Sequence, residues 1–167
     1  SRQLVNFEVE GIDAAIRYGL GSWRDLHATR LAEESVFPVC TRAYAEAHQL
    51  HLPADLLRAT LLHSDIEQDW KAWFRQAGLD EGSVPRGPTL ADDAAMLQAA
   101  IDGQGVALGR SVLVSDDLRN QRLVAPLPEF LNASYSYWLV VPASQPLRPE
   151  VATVRDWLVA EFARDSL

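Results

Sequence analysis

The chain has 167 residues, 48% of them apolar, and a formal net charge of −8. That is about one domain's length with enough apolar content for a core, and the acidity argues against a nucleic-acid surface, which needs clustered Lys and Arg. A single cysteine, Cys40, rules out an internal disulfide framework, and no apolar run approaches the roughly 20 residues that span a bilayer. A soluble, cytoplasmic protein is the expectation. The opening SRQLVNFEVEG has no Met and no signal-peptide pattern, as expected of a piece of a longer chain.

Short apolar runs alternate with amphipathic helical patterns, the alternation of α/β layers. The first strand is expected over 12–18, stopped by Gly19 and Gly21, and it carries two charges, Asp13 and Arg17, unusual in a buried strand. An extended run over 31–41 is bent by Pro38. TRAYAEAHQL reads as a short helix with Thr41 as N-cap. A helical turn over 53–57 precedes a strand over 59–63. DIEQDWKAWFRQAGL is a helix with Ile66, Trp70, Trp73, Phe74 and Ala77 on one face, stopped by Gly78, and its tryptophans belong in the core. SVPRGPTL is an interrupted strand. In ADDAAMLQAAIDGQGVALG, Asp92 or Asp93 caps a helix that ends at Gly103 and Gly105, and a short buried strand follows. RSVLVSDDLRNQ is another short helix, RLVAPL an edge strand, and residues 135–142, YSYWLVVP, a strand rich in β formers. A last helix over 148–163 has Val151, Val154, Leu158 and Phe162 as its apolar stripe.

Few residues suggest chemistry directly. GLGSW lacks the third glycine of a dinucleotide fingerprint, GQG sits after a helix instead of before one, and GRSVL lacks the closing glycine of a nucleophile elbow. The four histidines offer one close pair, His48 and His51, short of a four-ligand zinc site, so no metal and no cofactor is expected. Asp92 and Asp93 are an acidic pair that serves first as a helix cap, although a cap beside a cleft can still touch a ligand. Tyr18, Trp23 and Tyr137 sit at strand ends, where they line a pocket or fill core volume.

Five blocks in order, GIDAAIRYGLGSW at 11–23, LAEESVFPVCTRAYA at 31–45, LLHSDIEQDWKAWFRQAG at 61–78, AAIDGQGVALGRSVLVSDDLRNQRLVAPL at 99–127 and YSYWLVVP at 135–142, resemble the effector-binding domain of LysR-type bacterial transcriptional regulators. The branch is the one that includes the glycine-cleavage operon activator and the β-lactamase gene activator. The resemblance implies an α/β fold of two lobes, of the type II periplasmic-binding-protein kind, truncated at its N-terminal side. Lobe I would hold residues 1–40 and 139–167, and lobe II residues 41–138. It further implies a small effector held in the cleft between the lobes, and a helix-turn-helix elsewhere in the full-length regulator to read DNA. Self-association as a dimer or tetramer, and no catalysis, are implied as well. Effector contacts are expected at Tyr18, Gly19 and Trp23 in the first turn, at His63 and Ser64 at a strand end, at Asp92 and Asp93 at a helix start, and at Tyr137. In the β-lactamase activator a serine stands where Asp92 or Asp93 stands here, which favours an amine-bearing ligand. Asp13 and Arg17 are expected to form an internal pair or to clamp backbone. The alternative is a free-standing solute-binding protein of the same fold.

Overall fold

The computed structural model describes residues 7, 11–64, 69–144 and 146–165. Its elements run β1 (Ala15–Gly19), β2 (Leu26–Ala32), β3 (Ser35–Val39), α1 (Arg42–Ala47), β4 (His63–Ser64), α2 (Asp69–Gln76), β5 (Thr89–Leu90), α3 (Asp93–Ile101), β6 (Ala107–Arg110), α4 (Ser111–Arg119), β7 (Leu131–Asn132), β8 (Ser136–Pro142) and α5 (Pro149–Asp165). Turns of 3₁₀ helix lie at Pro53–Arg58 and Glu81–Ser83. The chain divides into two compact units, Ser1–Glu34 with Ala133–Leu167 and Ser35–Asn132. The division falls a few residues earlier at both crossings than the resemblance implies. All of β3 pairs inside the second unit, and all of β8 inside the first.

In the first unit β8 is the centre of an antiparallel sheet of order β1-β8-β2. Its run of β formers explains the place, since a central strand must satisfy both edges and bury Leu139 and Val140. The strand expected over 12–18 begins at Ala15 and reaches Gly19. The single bent run over 31–41 is in fact two strands that belong to different sheets. The first of them, β2, starts at Leu26, where exposed His27 and Arg30 blur the alternation. On α5, Val151, Leu158 and Phe162 are partly buried, but Val154 is 49% exposed, so the expected stripe is broken there.

The second unit holds a sheet of order β6-β3-β7 and a parallel pair β4-β5. Its core gathers Val39, Leu62, Met96, Leu97, Ala99, Ala100, Ala107, Val114 and Leu123. α1 starts where Thr41 caps it, the side chain accepting the Tyr44 N–H. On α2, Trp70, Trp73 and Phe74 are buried and meet edge to face, with ring centres 5.9–6.2 Å apart. Ile66 lies outside the described residues. The strand expected over 59–63 is shorter, a bridge from Leu61 to Val106 and then β4. RLVAPL is not an edge strand: only Val124 pairs, bridging to Cys40. A strand absent from the sequence reading, β7, takes the edge beside β3.

Candidate functional site

In the first unit the register of β1 on β8 sets the geometry. Tyr18 lies opposite Tyr137, Arg17 opposite Trp138 and Gly19 opposite Ser136. Because side chains alternate along a strand, the two tyrosines share one face, while Arg17 and Trp138 share the other. On the tyrosine face the Tyr18 ring packs on Tyr137 at 4.9 Å between centres and meets Tyr135 edge-on at 5.6 Å. The Tyr18 hydroxyl donates to the carboxylate of Glu34, which is only 3% exposed. Tyr137 stacks in turn on Phe162 of α5 at 6.2 Å.

On the other face the Trp138 indole N–H donates to the Gly19 carbonyl at 2.9 Å. Trp23 meets Trp138 edge-on at 6.4 Å, and the Arg17 guanidinium lies 5.8 Å from the Trp23 ring centre. The two charges that look misplaced in the sequence thus have separate described partners. Asp13 accepts from Arg148 at 2.7 Å, and Arg17 lies over the rings of Phe7 and Trp23.

In the second unit β4 and β5 run parallel, with His63 opposite Thr89 and Ser64 opposite Leu90. Both strands therefore end side by side, and two residues after β5 the chain enters α3. The carboxyl ends of parallel strands are where open α/β sheets hold ligands. Asp92 caps α3, its carboxylate accepting the Ala95 N–H at 2.8 Å. Asp93 pairs with Arg110 at 3.2 Å, and the two side chains are 20% and 10% exposed. The Asp93 charge is thereby answered from within the unit, while Asp92 is an exposed carboxylate at the positive end of the helix. The His63 ring places Nε2 3.2 Å from the Pro85 carbonyl, which makes that nitrogen a donor.

The eight residues expected at the site divide four and four between the units, but in the first unit Tyr18 and Tyr137 share one face of the sheet while Trp23 packs with Trp138 on the other. Sequence reading missed Glu34, Trp138 and Arg110. Glu34 is one acid among 23 and nothing local marks it as buried. Trp138 sits in a strand where any aromatic reads as a β former. Arg110 stood beside Ser111 in a motif considered only for its serine. Among the described residues no three His, Cys, Asp or Glu side chains gather as metal ligands. His48 stacks on Tyr44 with ring centres 3.9 Å apart, and its Nδ1 lies 3.0 Å from the Tyr44 carbonyl. Burial pushes the Cys40 thiol up to about 11, which makes it a poor nucleophile.

Comparison with known proteins decides the family. The LysR substrate binding domain model matches residues 1–163. The chain belongs to that family. It is 36% identical to the glycine cleavage system transcriptional activator of Escherichia coli K12 over 157 residues, 93% of this chain and 52% of that protein. The solved effector domain of the transcriptional regulator AmpR of Pseudomonas aeruginosa is 34% identical, with a TM-score of 0.77 over 97% of this chain and 78% of that one. The AmpR effector binding domain from Citrobacter freundii is 30% identical, with a TM-score of 0.78 over 96% and 80%. The fold is thus that of LysR effector domains, periplasmic-binding-protein-like, and the chain spans about half the length of the curated relatives it matches. Those relatives are transcriptional regulators and not enzymes. No described helix of this LysR domain is long and apolar enough to cross a membrane.

Proposed function

We propose that this LysR domain is the sensing part of a cytoplasmic transcriptional regulator and that its signal is a small-molecule effector. Each unit offers the effector a set of groups. The first offers Tyr18 and Tyr137 on one face of its sheet and Gly19 and Trp23 in the turn against the other; the second offers His63, Ser64, Asp92 and Asp93. The observation that carries the reading is the 36% identity to a transcriptional activator across 93% of the chain. The full-length protein would read DNA through a separate segment, in keeping with the charge of −8 here, and would act as a dimer or tetramer. An effector shifts the regulator between states only by its difference in affinity for them. The alternative of a free-standing solute-binding protein is not favoured, since the relatives named above are regulators.

The test is a thermal-shift panel of amino acids, purines and cell-wall fragments, with hits measured by calorimetry. A compound present at 100 times its Kd stabilises by about 2.7 kcal/mol, which raises Tm by roughly 5–11 °C for a chain of this size. Tyr137→Phe keeps the stack on Phe162 and Tyr18 while removing the hydroxyl, and Asp92→Asn keeps the cap while removing the charge. Each should weaken binding by about fivefold or more, the loss expected of one hydrogen bond or charge contact, and Asp92→Asn should do so with Tm of the free protein unchanged. A hit that binds both variants as it binds the wild type would remove both residues from the site, and a panel with no hit would count against the effector reading.

A further inference from the structure

Two glycines flank Leu20 in the turn that joins β1 to β2, and each faces an indole. A Cβ on Gly21 would lie 2.3 Å from Trp138 Cζ2, and one on Gly19 would lie 2.9 Å from Trp23 Cζ2. Both distances are below any contact that a real Cβ makes. Gly21 also has φ +86°, a conformation that other residues adopt at a cost. The Trp138 ring therefore rests directly on the turn backbone, and its N–H is bonded to the carbonyl at the turn's first residue, Gly19. From the far end of the same turn Trp23 folds back so that its ring stands edge-on to Trp138 with the Arg17 guanidinium over it. Arg17 and Trp138 are cross-strand neighbours, so both partners of Trp23 stand on the rigid β1-β8 pair and not on the turn.

From this arrangement we propose that Trp138 is the positioning residue of the turn at 19–23, holding the Trp23 indole in one orientation before any ligand arrives. The proposal rests on the reading that Gly19 and Trp23 meet the effector, and it adds why they can do so selectively. A turn held in place beforehand loses little freedom on binding, and affinity rises by what ordering would otherwise cost. Trp138 acts through Trp23 and Gly19. Arg17 has the same role from the other side, with its cation over the ring face.

The test labels the chain with 5-fluorotryptophan, assigns the five resonances by Trp→Phe replacement, and follows Trp23. Trp138→Phe removes the indole N–H and part of the ring. Gly21→Ala leaves Trp138 in place but puts a methyl where its ring lies. Both are expected to shift and broaden the Trp23 signal while Trp70 and Trp73 of the second unit stay where they are. Stability supplies a second arm: Gly21→Ala should destabilise wild type more than it destabilises Trp138→Ala, because removal of the indole frees the space. An unmoved Trp23 signal in Trp138→Phe, or an equal penalty for Gly21→Ala in both backgrounds, overturns the proposal. With a panel compound that binds, Trp138→Phe should weaken binding by about tenfold, the scale of lost preorganisation, and unchanged binding by a displaced Trp23 also overturns it. A panel in which nothing binds sinks the effector reading instead, and the fluorine and stability arms still decide whether Trp138 holds the turn.

Discussion

Gly87→Ala should be among the most damaging single-methyl additions to the second unit. Gly87 precedes β5 and lies against the chain that leads into β4. An added Cβ would sit 1.8 Å from the Leu61 carbonyl oxygen and 3.0 Å from its carbon. Real Cβ atoms essentially never approach closer than 3.0 Å, so one backbone must retreat by more than about 1 Å. Neither side is free to do so. Leu61 and Leu62 are fully buried and bridged to Val106, and the His63 N–H donates to the Pro88 carbonyl at 2.9 Å beside the clash. Overpacking of this kind costs about 1–3 kcal/mol, and loss of the His63 bond adds about 1. A destabilisation near 3 kcal/mol follows, or a fall in Tm of roughly 6–12 °C for a chain of this size. Urea unfolding followed by tryptophan emission suits the measurement, because the Trp70 indole donates to the Leu62 carbonyl at 2.9 Å and reports on the affected backbone. Gly78→Ala is the control. Its φ is +75° with nothing within 4 Å of the added methyl, so it carries only left-handed strain, about 1–2 kcal/mol. If Gly87→Ala costs no more than Gly78→Ala, the steric reasoning is wrong.

Asp92→Ala should lower stability by about 1 kcal/mol through loss of the cap on Ala95, whereas Asp92→Asn should leave it unchanged; chemical denaturation compares the two. Arg110→Met leaves the Asp93 carboxylate, four-fifths buried, without the partner at 3.2 Å and should cost about 2–4 kcal/mol, and a denaturation cycle with Asp93→Leu should show coupling between the two positions. The Cys40 thiol is raised by burial from 9.0 to about 11. A raised folded value means that its stabilising contribution is complete below pH 9 and is lost as pH rises towards 11, so wild type should lose stability over that window more steeply than Cys40→Ala. At pH 8 the native thiol should resist alkylation that the unfolded chain accepts within minutes.

Much of the local architecture was legible because the groups that specify it are neighbours in the chain. Thr41 caps the Tyr44 N–H and Asp92 caps the Ala95 N–H, each three residues on, and the positive φ that closes a helix falls on Gly78 and Gly103 as composition suggests. The aromatic face of α2 followed from spacing alone, and the order of five blocks carried the family. What the tertiary structure decided lies between residues far apart in sequence. Tyr18 meets Glu34 across 16 positions, Asp93 meets Arg110 across 17, and Gly19 meets Trp138 across 119. A one-residue slip of β8 against β1 would bring Trp138 to the face of Tyr18 and send Tyr137 to the face of Arg17, so the Tyr18–Tyr137 packing and the bond from Trp138 to Gly19 would both be lost. Periodicity tells which residues can face a core, but a register, and with it the partner of each polar group, is chosen only when strands from both ends of the chain are laid side by side.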